Sequence, residues 1–204
     1  MIVMPLIAVP FYVLFMREKE TGAKKAVYKC VPGFLTLLTG LWFLLSGKVT
    51  AANALIAAGL LICAAADWIL EFRFLPGMAL FAVAHLCFIG AFVSGGSHGF
   101  STVLYFALLF AAMCTLFILF RNNKPENLPF AVFFAYAAVL ALMAAFAFGC
   151  NVLIISGALL FVCSDTLLGL RLFGVWKGHV MSWILMGAYY SALFLFAFAC
   201  KTIA

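Results

Sequence analysis

The sequence predicts an all-α integral membrane protein, with eight transmembrane helices arranged as two parallel four-helix repeats. The composition is the first reason: 69% of the 204 residues are hydrophobic and 9% are charged, whereas a soluble domain carries about 25% charged residues. The second is a series of apolar runs separated by Gly, Pro and charged residues. The third is an internal repeat at an offset of 98 residues. We treat 1–204 as a single membrane domain, with repeat halves of about 1–98 and 99–204.

Each apolar run is long enough for a helix, and the breaks between runs carry turn signals. The first run has no basic residues before it, unlike a secretory signal peptide, so we interpret it as a retained span. The predicted spans are 1–16, 31–46, 51–72, 76–95, 100–120, 128–148, 151–172 and 179–200.

Basic residues are distributed unevenly between the two sets of loops. All but two of the 12 Lys and Arg residues fall between spans one and two, three and four, five and six, or seven and eight, the exceptions being Lys48 and Lys201. The positive-inside rule then places these four loops in the cytoplasm and both termini outside. The net charge of +6 is therefore a topology signal and does not indicate nucleic-acid binding.

The repeat places one carboxylate at the same position in each half. Both copies read G-x-L-x5-D-x2-L-x2-R, and Asp67 aligns with Asp165. Because four spans is an even number, the halves have the same orientation and are related by an axis along the membrane normal. Both aspartates then lie in the cytoplasmic half of the bilayer, roughly 8–10 Å from their helix ends, and we expect them to face one cavity.

An unpaired carboxylate inside a bilayer is costly, and such groups commonly mark functional sites. One interpretation is that Asp67 and Asp165 hydrogen-bond the helices together. The other is catalytic: of two carboxylates in a low-dielectric cavity, one stays neutral and one ionised, which supplies a general acid and a general base.

Other polar residues near the aspartates are candidates for binding a substrate. Glu71 lies one helical turn after Asp67, and either acts on its charge or pairs with Arg73. Arg73 and Arg171 are either topology anchors or ligands of a phosphate group, and Lys177 is a further candidate for binding the phosphate.

Three further candidates lie within the apolar spans. His85 is in span four, where it either takes part in the site or bonds a backbone carbonyl. Tyr189 and Tyr190 in span eight either pack or direct hydroxyl groups into the cavity. The seven Cys residues are scattered singly, without a metal-binding or redox spacing.

Two groups of motifs resemble the YhhN family of membrane lysoplasmalogenases. The first is A-D-W-I-L, L-P-G and A-H-L-C-F-I-G-A-F in spans three and four. The second is G-A-L-L-F-V-C-S-D-T-L-L-G-L in span seven, followed by Tyr189 and Tyr190. The sequence departs from the family pattern at Ala66, where Gly is frequent, and at Lys29-Cys-Val-Pro32, where the family has a Lys-Pro pair.

The resemblance implies hydrolysis of the vinyl ether bond of lysoplasmalogens, which yields a fatty aldehyde and glycerophosphoethanolamine or glycerophosphocholine. It implies Asp67 and Asp165 as catalytic residues, with no metal or nucleotide cofactor. The partners would be the lysophospholipid substrate and membrane lipids, with no nucleic acid. We expect a multi-pass protein of a bacterial inner membrane with both termini outside.

A proton-coupled transporter of a small molecule or lipid is the competing function. Parallel repeats with intramembrane acids fit that class too, although no Gly- or Pro-broken helix is evident at either aspartate. A structural or assembly role gains little support from paired acids.

Overall fold

A computed structural model describes residues 3–18, 22–120, 129–175 and 178–203, and these form eight α-helices without strands. The helices are α1 (Val3–Arg17), α2 (Ala23–Ser46), α3 (Ala51–Phe72), α4 (Phe74–Gly95), α5 (Phe100–Leu119), α6 (Phe130–Ala147), α7 (Val152–Leu172) and α8 (His179–Ala199). The predicted all-α class is confirmed.

Seven of the described helices, α2 to α8, are long and apolar enough to cross a membrane. The chain is therefore a multi-pass integral membrane protein. The other helix, α1, has 15 residues, which corresponds to about 22 Å against a hydrocarbon core of about 30 Å.

The two helices that carry the aspartates begin at side-chain caps. Thr50 and Asn53 form a reciprocal capping box at the start of α3, and the Asn151 side chain accepts from the backbone N–H of Ile154 at the start of α7. These caps fix where α3 and α7 begin, and hence the depth at which each aspartate lies.

Helix α2 begins at Ala23, eight residues before the predicted start of span two. Pro32 lies inside the helix, which continues through it. Three lysines assigned to a loop from the sequence (Lys24, Lys25 and Lys29) therefore lie on α2, and the loop assignment is wrong for them. Lys29 is 5% exposed.

The link between α3 and α4 is shorter than the sequence predicts. We expected Pro76 and Gly77 to separate these helices, but α3 ends at Phe72 and α4 begins at Phe74. Pro76 lies in the first turn of α4, where the missing N–H costs no helical hydrogen bond. The single residue Arg73 joins the two helices.

Helix packing produces a continuous apolar core with close contacts at glycine. A Cβ on Gly59 would collide with the Phe88 ring, and one on Gly157 would collide with the Phe196 ring. The most extensive contacts outside sequential pairs join α2 to α8 and α4 to α6. Helix α5 packs mainly against α6.

The end of the bundle where α1, α3, α5 and α7 end and α2, α4, α6 and α8 begin carries most of the basic residues, and we call it the basic end. We expect it to face the cytoplasm. Reporter fusions after Arg121 and after Ala204 should then report opposite sides of the membrane. The same side for both fusions would contradict this topology.

Candidate active site

A cavity of about 970 Å³ lies at the basic end, and all eight helices contribute to its wall. Most of the lining is apolar. The ionisable and phenolic side chains on the wall are Glu18, Lys25, Lys29, Asp67, Glu71, Tyr136, Asp165, Arg171, His179 and Tyr189. Both aspartates thus line the same cavity, although they are far apart in sequence.

Asp67 is 1% exposed, and its carboxylate is contacted by side chains of two other helices. The Tyr189 hydroxyl on α8 donates to Oδ2 of Asp67 at 2.8 Å. The Lys29 ammonium on α2 lies 3.8 Å from Oδ1. A buried carboxylate with a cation on one oxygen and a donor on the other is well suited to remain ionised.

Helix α2 can approach Asp67 because residue 33 is glycine. A Cβ at Gly33 would lie 3.2 Å from Oδ2 of Asp67. This is closer than an ordinary van der Waals contact, so a larger side chain would push α2 away from the carboxylate.

Asp165 has a different set of partners. The Tyr136 hydroxyl on α6 donates to Oδ2 of Asp165 at 2.5 Å, and Nε2 of His85 on α4 lies 3.8 Å from the same oxygen. Its side chain is 10% exposed. No Lys or Arg among the described residues forms an ion pair with Asp165.

The hydrogen-bond partner of His85 fixes its tautomer. Nδ1 lies 2.5 Å from the carbonyl oxygen of Phe81, and a carbonyl only accepts, so Nδ1 carries hydrogen. Nε2 is buried and has no hydrogen-bond partner among the described residues. In a neutral ring, Nε2 therefore presents its lone pair toward Asp165, which favours a carboxyl group that carries a proton.

Five of the eight site residues predicted from the sequence line the cavity: Asp67, Asp165, Glu71, Arg171 and Tyr189. Arg171 is exposed and donates from its guanidinium to the Ser182 hydroxyl at 3.0 Å, at the rim between α7 and α8. Glu71 forms no ion pair with Arg73.

The other three predicted residues do not reach the cavity wall. His85 is fully buried behind Asp165. Tyr190 is also buried, and its hydroxyl donates to the backbone carbonyl of Lys29 at 2.8 Å, so it fixes α2. Arg73 is exposed in the link between α3 and α4. Lys177, a further candidate for phosphate binding, lies outside the described residues.

Sequence reasoning missed two partners of the aspartates. Lys29 was counted as a loop charge because α2 was predicted to begin later. Tyr136 is one aromatic residue in the apolar helix α6, and nothing in its local sequence distinguishes it from packing residues. No local pattern connects Lys29 with Asp67 either, since its neighbours are other basic residues and the start of an apolar run.

The fold and this site define a class: a multi-pass helical membrane protein in which carboxylates from two helices line one cavity. The chain belongs to the YhhN family, whose model matches residues 25–200. The resemblance drawn from the sequence is thereby confirmed. No curated protein and no solved structure matched the chain.

Proposed function

We propose that the protein hydrolyses the vinyl ether bond of lysoplasmalogens, releasing a fatty aldehyde and glycerophosphoethanolamine or glycerophosphocholine. One observation carries the proposal: two carboxylates with different partners, Asp67 buried and Asp165 10% exposed, line one cavity that is large and mostly apolar. Its volume of about 970 Å³ is at the upper end of ligand sites, which are about 300–1,000 Å³.

Vinyl ethers are cleaved through protonation at carbon. A proton adds to the second carbon of the alkenyl chain, and the first carbon becomes an oxocarbenium ion stabilised by the ether oxygen. Water then adds to the first carbon and loses a proton, giving a hemiacetal. The hemiacetal collapses to the aldehyde and the glycerol hydroxyl group, and one water is consumed overall.

The different surroundings of the two aspartates suggest a division of roles. We assign Asp165 as the acid, because it has no cationic partner among the described residues and faces the lone pair of His85. We assign Asp67 as the carboxylate that stabilises the cation and activates water, because Lys29 and Tyr189 support its charge. Proton transfer by such a pair is general acid–base catalysis.

Membership of the YhhN family agrees with a hydrolase. Proton-coupled transport remains the alternative. It gains some support from the paired intramembrane acids, but α3 and α7 are unbroken helices at the aspartates, whereas transporter sites are typically formed by discontinuous helices.

The test is aldehyde release by the purified full-length protein supplied with a lysoplasmalogen. We expect fatty aldehyde and a water-soluble glycerophosphodiester in equal amounts. The saturated alkyl ether analogue serves as the control and should give no aldehyde, because it cannot be protonated at carbon. Proton flux into liposomes without aldehyde would instead favour the transporter.

We also propose that the halves are structural repeats, as the sequence predicts. When the halves are exchanged, four pairs of neighbouring helices map onto four other pairs, and all eight pairs are in contact. The first set is α1–α2, α2–α3, α3–α4 and α2–α8, and it maps in that order onto α5–α6, α6–α7, α7–α8 and α6–α4. The glycine contacts correspond as well, since Gly59 and Gly157 each meet a Phe ring of the following helix.

A further inference from the structure

We infer that the cavity holds a single-chain phospholipid in one direction, with its phosphate group beside Lys25 and Lys29 and its alkyl chain in an aromatic pocket between α5, α6 and the end of α7. This inference rests on the proposed function for the class of ligand. Beyond that function, it specifies where in the cavity each end of the ligand lies.

The aromatic pocket is formed by Phe117 on α5, Phe120 directly after α5, Phe133 on α6 and Phe173 after α7, all of which line the cavity. The Phe117 ring centroid lies 5.1 Å from that of Phe133 and 5.5 Å from that of Phe173. Phe133 and Phe173, each 4% exposed, form a hydrophobic cluster separate from the main core.

Helix α5, which supplies one wall of this pocket, is little buried by the other helices. Thr102 is the only buried residue of α5, and the helix packs mainly against α6. Met113 and Leu116 face the cavity together with Phe117. An apolar wall at membrane depth that faces a cavity is suited to a hydrocarbon chain, because burial of CH₂ groups there is favourable.

A second part of the wall, formed by α1, α2 and the end of α3, carries charges of both signs. Lys25 and Lys29 line it on α2, and Glu18 and Glu71 line it after α1 and on α3. Glu18 is paired with Lys24 at 3.0 Å. Lysine binds phosphate as a point charge, and a nearby carboxylate complements an ammonium group, so this wall suits a zwitterionic head group.

The aspartates lie between these two walls in a defined order. Asp67 is bound from α2 by Lys29. Asp165 is bound from α6 by Tyr136, one helical turn from Phe133 of the aromatic pocket. The order across the cavity is therefore Lys29, Asp67, Asp165 and the aromatic pocket.

A lysoplasmalogen has the same order of groups: phosphate, glycerol, the oxygen-bearing vinyl carbon, the second vinyl carbon and the chain. Its first vinyl carbon would lie beside Asp67 and its second beside Asp165. That is the arrangement required when Asp165 protonates the second carbon and Asp67 stabilises the cation.

The inference is tested by binding 1-O-alkyl glycerophosphoethanolamines with chains of 8, 12 and 16 carbons, which lack a vinyl bond and are not cleaved. The variants are Phe117→Ala, Lys25→Gln and Phe117→Leu, the last of which keeps an apolar side chain of intermediate size. The matched control is Phe106→Ala, on the same helix but stacked on Phe110 and away from the cavity. The quantity compared is the ratio of variant to wild-type Kd at each length, in which chain partitioning into lipid cancels.

We expect Phe117→Ala to weaken binding of the 16-carbon ligand about tenfold and to leave the 8-carbon ligand within about twofold. Phe117→Leu should weaken binding of the 16-carbon ligand less than Phe117→Ala does, and Phe106→Ala should bind all three ligands as tightly as the wild type. Lys25→Gln should weaken all three ligands by the same factor. Equal weakening at all lengths by Phe117→Ala, or an effect of Lys25→Gln confined to the long chain, would overturn the inference.

The outcome separates this inference from the proposed function. If the length-dependent ratios appear but no aldehyde is released from a lysoplasmalogen, the hydrolase is contradicted and the lipid direction stands. If aldehyde is released but the ratios do not depend on length, the direction is wrong and the hydrolase stands.

Discussion

Asp67→Asn and Asp165→Asn should each lower the rate of vinyl ether hydrolysis at least on the order of 100-fold, the usual scale for a general acid or base. Asparagine keeps the volume and can still accept from Tyr189 or Tyr136. It can neither donate a carboxylic proton nor carry the charge that stabilises an oxocarbenium ion. The loss should appear in kcat.

The two aspartates should act as one unit. Because protonation of one carbon and stabilisation of the adjacent cation occur together, the double Asn variant should be scarcely slower than either single variant. Rates are measured from initial aldehyde release, with thermal melting to verify that each variant is folded at the assay temperature.

A matched control is available on α2. Thr39 is buried and donates to the carbonyl oxygen of Leu35, away from the cavity. Thr39→Val replaces a buried hydroxyl with a methyl group of similar size and should leave the hydrolysis rate close to that of the wild type. A single Asn variant of Asp67 or Asp165 with full activity would contradict the catalytic assignment.

The second large effect is expected for Lys29→Met, which keeps the apolar stem and removes the ammonium group 3.8 Å from Asp67. The hydrolysis rate should fall roughly 10- to 100-fold, since a charge-assisted contact to the carboxylate proposed to stabilise the cation is lost. Stability should fall too, because breaking a buried ion pair leaves an uncompensated charge. Lys29→Arg should recover part of the rate.

The stability effect has its own control in a double-mutant cycle. Lys29→Met and Asp67→Asn each leave one partner without its counter-charge, whereas the double variant removes both. The double variant should therefore lose less stability than the sum of the single variants, as measured by the midpoint of thermal inactivation. Strict additivity, or a Lys29→Met variant with the activity of the wild type, would remove Lys29 from the site.

The sequence was sufficient to find the two aspartates because carboxylates are rare in apolar helices and these two recur at a fixed offset. Their common cavity could also be predicted, because helices four spans apart run in the same direction and both aspartates lie near the same end of their helices. The partners of the aspartates could not be found this way. Tyr136 and Lys29 approach from α6 and α2, and those approaches depend on helix packing that no local pattern encodes.

Tyr190, His85 and Arg73 were predicted to belong to the site but do not line the cavity. Their positions on the helices explain why. Tyr189 and Tyr190 are adjacent and therefore project from different sides of α8, so one reaches Asp67 and the other the backbone of Lys29. His85 lies on the face of α4 that contacts Asp165 on the side away from the cavity. Arg73 has no place on the wall because it forms the one-residue link between α3 and α4, and its side chain is exposed.

The most direct test of the account is lysoplasmalogen turnover by the purified protein in D₂O, with the aldehyde reduced as it forms. Transfer of an acid proton to carbon predicts an alcohol with one solvent deuterium on its second carbon, and formation of this product should be lost in Asp165→Asn and in Asp67→Asn. Aldehyde that carries no solvent deuterium would contradict proton transfer to carbon, and with it the central role of the two aspartates.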